Sequence, residues 1–156
     1  MGHSSKLRKG VSKDEEIISR YLGEGEVIHL ALSDKLGLFS VPVNYGYCDG
    51  KIYVHSSKQG RKIDALRGGG VIGFSVIVEH KIFENSDPCQ WGCSFKSVIG
   101  TGVPRILDSI EKKSALNKIM KQYSGNEWTF KDSAVEAVDV VEIMITSVSA
   151  RTVVKE

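Results

Sequence analysis

The sequence predicts a mainly β fold, a six-stranded antiparallel β-barrel with flanking α-helices. Three observations carry that expectation. Runs rich in Val, Ile and Phe recur along the chain, the segments between them read as hairpins or corners, and the helical stretches are few and short, without the alternating rhythm of βαβ units.

Taken in order, Ser12-Lys-Asp-Glu15 has the spacing of a capping box, with Ile17, Ile18, Tyr21 and Leu22 forming one apolar stripe after it. That predicts a helix over 13–22, ended by Gly23 and Gly25. Strands are expected over 27–33, 38–47 and 51–57. Asp34-Lys-Leu-Gly37 joins the first pair, and Asp49-Gly50 joins the second, because both positions of such a turn favour φ > 0. Pro42 cannot donate to a ladder, so it marks an edge, a bulge or a place where a ligand replaces pairing.

A short helix over 60–67 is broken by Gly68-Gly69-Gly70, and a strand over 71–83 follows. The stretch 84–92 reads as a loop. In the long strand over 93–107, Gly100 and Gly102 mark a bend that closes a barrel or a close backbone approach. Asp108 then caps a helix with Glu111 at the box position, its inner face drawn by Leu116, Ile119, Met120 and Tyr123 up to Gly125. A strand over 138–148 completes the set.

A chain of 156 residues suits one domain, read as a flexible leader over 1–12 and a single domain over 13–156. The net charge of +2 provides no broad field for gripping nucleic acid, so any anion site must be local. No apolar run approaches the roughly 18 residues of a membrane span, and MGHSSKLRKG lacks the apolar core of a signal peptide; a cytoplasmic protein is expected. Cys48, Cys89 and Cys93 cannot all pair within one chain, which fits a reducing compartment. The basic leader residues Lys6, Arg8, Lys9 and Lys13 read as a solvated terminus.

The stretch from His55 to Lys62 holds the densest chemistry. The hydroxyls of Ser56 and Ser57, backbone N–H groups at a helix start and the side chains of Arg61 and Lys62 could converge on a phosphate, with Gly60 allowing close approach. The same residues describe an ordinary solvated helix entry, and spacing alone leaves both readings open. Nucleotide loops of the P-loop or Rossmann type are absent, since Gly68-Gly69-Gly70 follows a helix and precedes a strand. His29 alternates within an apolar strand and reads as a barrel histidine; His80 sits near a strand end and should be exposed. Cys89 and Cys93 lack a second matched pair, so no metal site is expected. Trp91 and Phe95 either cover a ligand's edge or simply pack.

Four blocks carry a resemblance: Ser40-Val-Pro-Val-Asn-Tyr-Gly-Tyr47, Asp49-Gly-Lys-Ile-Tyr-Val-His-Ser56, Gly60-Arg-Lys-Ile-Asp64, and Ser97-Val-Ile-Gly-Thr-Gly102 before a capped helix. In this order they resemble the flavin-binding split barrels related to pyridoxamine 5′-phosphate oxidase, and among them the nitroimidazole-resistance branch. The resemblance spans roughly 13–148. It implies an FMN-binding homodimer with the flavin at the subunit interface. Ser40, Val41, Pro42, Val43, Asn44 and Tyr45 would then run along the flavin ring through backbone contacts. Tyr53, His55 and Ser56 would lie beside the ring and ribityl chain, Arg61 and Lys62 would hold the phosphate, and Ser97 would come near the flavin.

The implied activity is electron transfer from a reduced nicotinamide through flavin to a small acceptor, a nitroaromatic among the candidates, with His55 as the catalytic residue. The alternative is a non-catalytic barrel that holds flavin, haem or a deazaflavin. The ending SVSARTVVKE does not resemble the oxidase's arginine- and histidine-bearing substrate segment, and Gly68-Gly69-Gly70 stands where relatives often carry an Asn-Pro turn.

Overall fold

Alternation in Val27–Asp34 separates the inside of the barrel from its outside. Ile28, Leu30 and Leu32 are buried while Val27, His29, Ala31 and Ser33 face out. His29 is therefore not the interior histidine that its apolar context predicts, because strand parity turns it away from the core. The computed structural model describes residues 8–155. Its elements are β1 (Val11–Ser12), α1 (Glu15–Glu24), β2 (Val27–Asp34), β3 (Gly37–Asn44), β4 (Gly46–Cys48), β5 (Lys51–Ser57), α2 (Arg61–Arg67), β6 (Ile72–Phe83), β7 (Gly92–Ile106), α3 (Ser109–Ser124), α4 (Asp132–Glu136) and β8 (Val138–Val153).

All strand pairs are antiparallel, in the order β3-β2-β6-β7-β8-β5-β4, with β1 on β8. The sheet has 8 strands, not six. One addition is β1, where Val11 and Ser12 pair with Arg151 and Ala150 in a stretch that the sequence assigns to a leader. Residues 1–7 of that leader lie outside the described residues. The other addition comes from the run over 38–47, which divides at Tyr45. Its first part pairs with β2 and its second with β5. Because β3 and β4 are the two ends of the sheet order and are joined through Tyr45, the sheet closes on itself.

The interior is filled by Ile28, Leu30, Ile52, Val54, Phe74, Val76, Val98, Val141 and Ile143, with Ile18, Tyr21 and Leu22 of α1 and Ile63 and Leu66 of α2 packed into the same cluster. A second cluster of Tyr53, Leu107, Ala115, Ile119 and Val140 lies beneath α3. The buried residues of α3 are Lys112, Ala115 and Ile119, whereas Tyr123 is exposed, so its inner face is rotated from the predicted stripe. Helix α4 has five residues and no side-chain cap, which explains why no sequence signal marks it.

Local chemistry fixes the ends of these elements. Asp14, not Ser12, caps α1, accepting from the N–H groups of Glu16 and Ile17; Ser12 is held in β1 and its hydroxyl accepts from Asp14 N–H. Asp108 and Glu111 form the expected capping box on α3. Asp49 and Gly50 take φ of 48° and 74°, the turn their pairing predicts. A register shift falls between Thr101 and Gly102 of β7, where β8 carries Thr146 as an extra residue and bulges against it.

The close approach of α3 to β4 gives a stability test. A Cβ on Gly46 would lie 2.6 Å from the Lys118 carbonyl oxygen and 2.7 Å from Ile119 Cα, both backbone atoms that cannot swing aside. Gly46→Ala should cost about 1–3 kcal/mol in urea unfolding. Gly23→Ala, in α1 with nothing within 4 Å of the added carbon, should stabilise by roughly 0.5–1 kcal/mol.

Candidate functional site at the split between two strand edges

The chain that closes the barrel also opens it. Past Gly46↔Tyr53 the ladder between β4 and β5 ends, and β3 departs to pair with β2 alone. If the register continued, Asn44 would face His55 and Pro42 would face Ser57. Instead both strands carry an edge without a ladder partner: β3 on the side away from β2, and residues 54–57 of β5 on the side away from β8. Pro42 lies on such an edge, where a missing N–H is tolerated.

Ser40, Pro42 and Asn44 are exposed on the outer face of β3, while Val41 and Val43 turn towards the core. Tyr45 is wholly buried, and its hydroxyl donates to the Leu22 carbonyl at 2.6 Å. Burial pushes its phenol well above the ordinary range, so it stays a neutral donor. The Tyr45 side chain thus anchors the hinge between β3 and β4 and has no surface to offer a ligand.

On β5, Ser56 is buried and faces the interior with Val54, whereas Tyr53 and His55 share the opposite face. Tyr53 is held under α3, with the Lys118 ammonium donating to its hydroxyl at 3.0 Å and that hydroxyl donating to Glu142 at 3.2 Å. The hydrogen bond to Tyr53 raises the Lys118 pKa. His55 sits at the surface, backed by a groove of about 210 Å³ that includes Leu116, Met120, Tyr123 and Phe130. Desolvation by these neighbours, then the charge of Lys62, holds the His55 pKa below its ordinary 6.5.

Arg61 and Lys62 open α2, immediately after the free edge of β5. Gly60 before them has φ of 120° and open space around it, a conformation that a side chain would resist. Arg61 is not free. Its Nε and Nη2 donate to the Asp34 carboxylate at 2.7 and 3.0 Å, and its guanidinium lies 3.9 Å over the Phe39 ring. Hydrogen bonding from Arg61 lowers the Asp34 pKa, and Asp34 raises that of Arg61 in turn. The Nη1 of Arg61 and the ammonium of Lys62 have no hydrogen-bond or ion-pair partner among the described residues.

Of the residues predicted from the sequence, the fold therefore gathers Ser40, Pro42, Asn44, His55, Arg61 and Lys62 around one split. Ser97 stands apart. It is paired with Ile77 and Arg151 in β7, with β8 between it and β5, and with β6 and β2 between it and β3. Sequence reading missed Asp34 and Lys118, which lie 27 and 65 positions from their partners Arg61 and Tyr53, so no local spacing could reveal them. Among the described residues no group of three or more His, Cys, Asp or Glu side chains converges as a metal site, and none of the helices is long and apolar enough to cross a membrane. Cys48 and Cys93 are half-buried and Cys89 is exposed, all as free thiols.

The family model described as pyridoxamine 5′-phosphate oxidase matches residues 14–152. The chain belongs to this family. Comparison with curated protein sequences returns no match. Among solved structures, the chain is similar to a Bacteroides thetaiotaomicron protein provisionally described as a 5-nitroimidazole antibiotic resistance protein, with a TM-score of 0.78, 22% identity, and 97% of this chain and 96% of the other covered. An FAD and haem binding protein from Mycobacterium smegmatis gives a TM-score of 0.82 at 14% identity, over 92% of this chain and 73% of the other. A flavocytochrome from Azotobacter vinelandii gives 0.81 at 17%, over 99% and 75%. At these identities the likeness establishes the split-barrel fold.

The electrostatics of His55 can be checked directly. NMR titration should place its midpoint below 6.5, and Lys62→Met should raise it by removing the cation. A folded-state pKa below the unfolded one means that the unfolded chain binds more protons. His55 therefore contributes stability that is fully present above pH 6.5 and is lost as pH falls through its depressed folded pKa.

Proposed function

We propose that the split between β3 and β5 seats a flavin, FMN in the first instance, and that the chain is an oxidoreductase passing electrons from reduced nicotinamide to a small acceptor such as a nitroaromatic. The observation that carries this reading is the pair of unladdered strand edges running to two cations, Arg61 and Lys62, that retain free donors. Free backbone N–H and C=O groups on β3 match the polar edge of a flavin ring, and the two cations match its phosphate. The structures similar to this chain include proteins described as binding FAD and haem, which supports a cofactor role for the fold.

When bound, the flavin supplies the redox chemistry, so no side-chain triad is needed. The residues of the chain have narrower tasks. Arg61, preoriented by Asp34 and stacked on Phe39, presents Nη1 to the phosphate, and Lys62 adds a point charge. His55 lies on the outward face of the strand that borders the split, mostly neutral at pH 7, and a neutral imidazole accepts a hydrogen bond there. A phosphate dianion beside Lys62 would offset the cation and ease protonation of His55, which then donates to a developing anion on the acceptor. The alternative haem reading would lean on His55, which opens on a groove of about 210 Å³, or on His80 in the outer half of β6 as the residue that holds the iron.

The reading includes a homodimer. Pro42, His29, Ser75, Ile99 and Ser149 form one continuous cross-strand row on the outside of the barrel, and Ser40, Ala31, Gly73, Thr101 and Ser147 form the next. Neither row contains Lys, Arg, Asp or Glu; Ile99 within the first row is 59% exposed and Ile77 beside it is 63% exposed. A second copy laid on this face by a two-fold axis would cover it. Sedimentation should give twice the 17.1 kDa chain mass.

Cofactor binding tests the phosphate site. Arg61→Ala and Lys62→Ala should each weaken FMN binding by about 1.5–3 kcal/mol, with a smaller loss for riboflavin, which lacks the phosphate. Equal losses for both ligands would place the cations elsewhere. His55→Gln should retain flavin and slow acceptor reduction by about tenfold or more in rapid mixing. Purified protein that neither carries nor takes up FMN would refute the reading.

A further inference from the structure

Helix α2 carries both cations of the split, yet it has only seven residues and no side-chain cap. A helix this short takes its orientation from tertiary contacts rather than from itself. Its front is tied by Arg61 to Asp34, and its middle by Ile63 and Leu66 in the barrel core. Its rear is tied by Arg67, whose guanidinium donates to the Asp64 carboxylate, to the Lys58 carbonyl in the turn before the helix, and to the Asp139 carboxylate of β8. We infer that Arg67 and Asp139 are positioning residues for the phosphate site, fixing the direction in which α2 presents Lys62 and with it the preference for a phosphorylated flavin. The inference rests on the flavin reading.

Asp139 suits that task because it is itself held in place. It is buried, and it pairs with Ser56 in the ladder between β5 and β8, on the side of β5 away from the split. Lys112 of α3, also buried, brings its ammonium to 3.8 Å from the same carboxylate and donates to the Val138 carbonyl at 2.7 Å. One buried anion is therefore shared by a cation from α3 and a cation from α2. Such a cluster resists displacement, since moving any member leaves a charge out of water without its partner.

The two cations of α2 depend on this anchor to different degrees. Arg61 keeps its direction through Asp34 and Phe39, both outside the helix. Lys62 has no such tie among the described residues, so the set of α2 alone aims it. The turn that leads into the helix is also free of side-chain restraint at Gly60, and the hydrogen bond from Arg67 to the Lys58 carbonyl, at 2.8 Å, closes it from behind. Release of the rear of α2 therefore costs the aim of Lys62 while the Arg61 clamp persists. Arg67 acts on the phosphate through Lys62, without touching it.

The test replaces Arg67 rather than Asp139, because loss of the carboxylate would strand the buried Lys112. Full-length protein stripped of flavin is titrated with FMN and with riboflavin by flavin fluorescence, as wild type, Arg67→Ala, Arg67→Lys, Lys62→Ala and the Arg67→Ala/Lys62→Ala double variant. Arg67→Ala should weaken FMN binding about five- to tenfold while riboflavin stays within about twofold, and Arg67→Lys, whose ammonium still pairs with Asp139, should stay within about threefold of wild type for FMN. In the Lys62→Ala background, Arg67→Ala should add less than about twofold, because the cation it aims is gone. Arg67→Gln, which keeps a donor for the Lys58 carbonyl, carries the same comparison should Arg67→Ala fail to fold. Unchanged FMN affinity, equal losses for the two flavins, or independent losses in the double variant would overturn the inference and leave the flavin reading standing. Binding of neither flavin by folded wild type would overturn both.

Discussion

One stretch of chain, Gly37 to Cys48, belongs to two ladders, and the rest of the structure depends on how it turns between them. Its first part pairs with β2 and its last three residues with β5. The turn is held by Tyr45, buried and hydrogen-bonded through its hydroxyl to the end of α1 at Leu22. A buried phenol with no acceptor would lose roughly 1–3 kcal/mol, so the helix and the hinge hold each other in place. Because the chain leaves β5 at Gly46, the strand edges beyond it stay unpaired. Closure of the barrel and the presence of a cleft are thus one geometric fact.

That cleft is electrostatically divided. At its far end Arg61 is fixed by Asp34 and Phe39, which reduces the entropy cost of presenting a guanidinium while a carboxylate offsets its charge. Lys62 is not compensated in this way, and its field reaches His55. The two cations are therefore not equivalent: Arg61 supplies fixed donors and Lys62 supplies charge. On the opposite face of the strand from Ser56, Tyr53 is tied into Lys118 and Glu142, making a rigid support beneath α3 from a residue that the family resemblance implies lies beside the flavin.

Much of this was legible in the residues. Alternation and turn chemistry placed the long strands and the Asp49-Gly50 hairpin, and the capping box placed α3, because those signals act over a few residues. The junction at His55 to Lys62 was also legible, as a strand meeting a helix with two cations. What escaped was long-range. The division of one strand at Tyr45, the Asp34 clamp on Arg61 and the outward parity of His29 each depend on a partner strand or side chain far away in sequence. The capping assignment at Ser12 failed for a related reason, since Ser12 pairs with Ala150 at the other end of the chain and leaves the cap to Asp14.

The central claim is that the unladdered edges of β3 and β5 are the cofactor's seat. Amide hydrogen exchange on the flavin-free protein, repeated with saturating FMN, tests it most directly. The account predicts added protection in peptides covering 40–45, 54–57 and 60–63, with the interior strand segments around Val76 and Val98 unchanged. Protection confined to the α3–α4 groove or to the hairpin tip, with 40–45 and 54–57 exchanging as before, would contradict it.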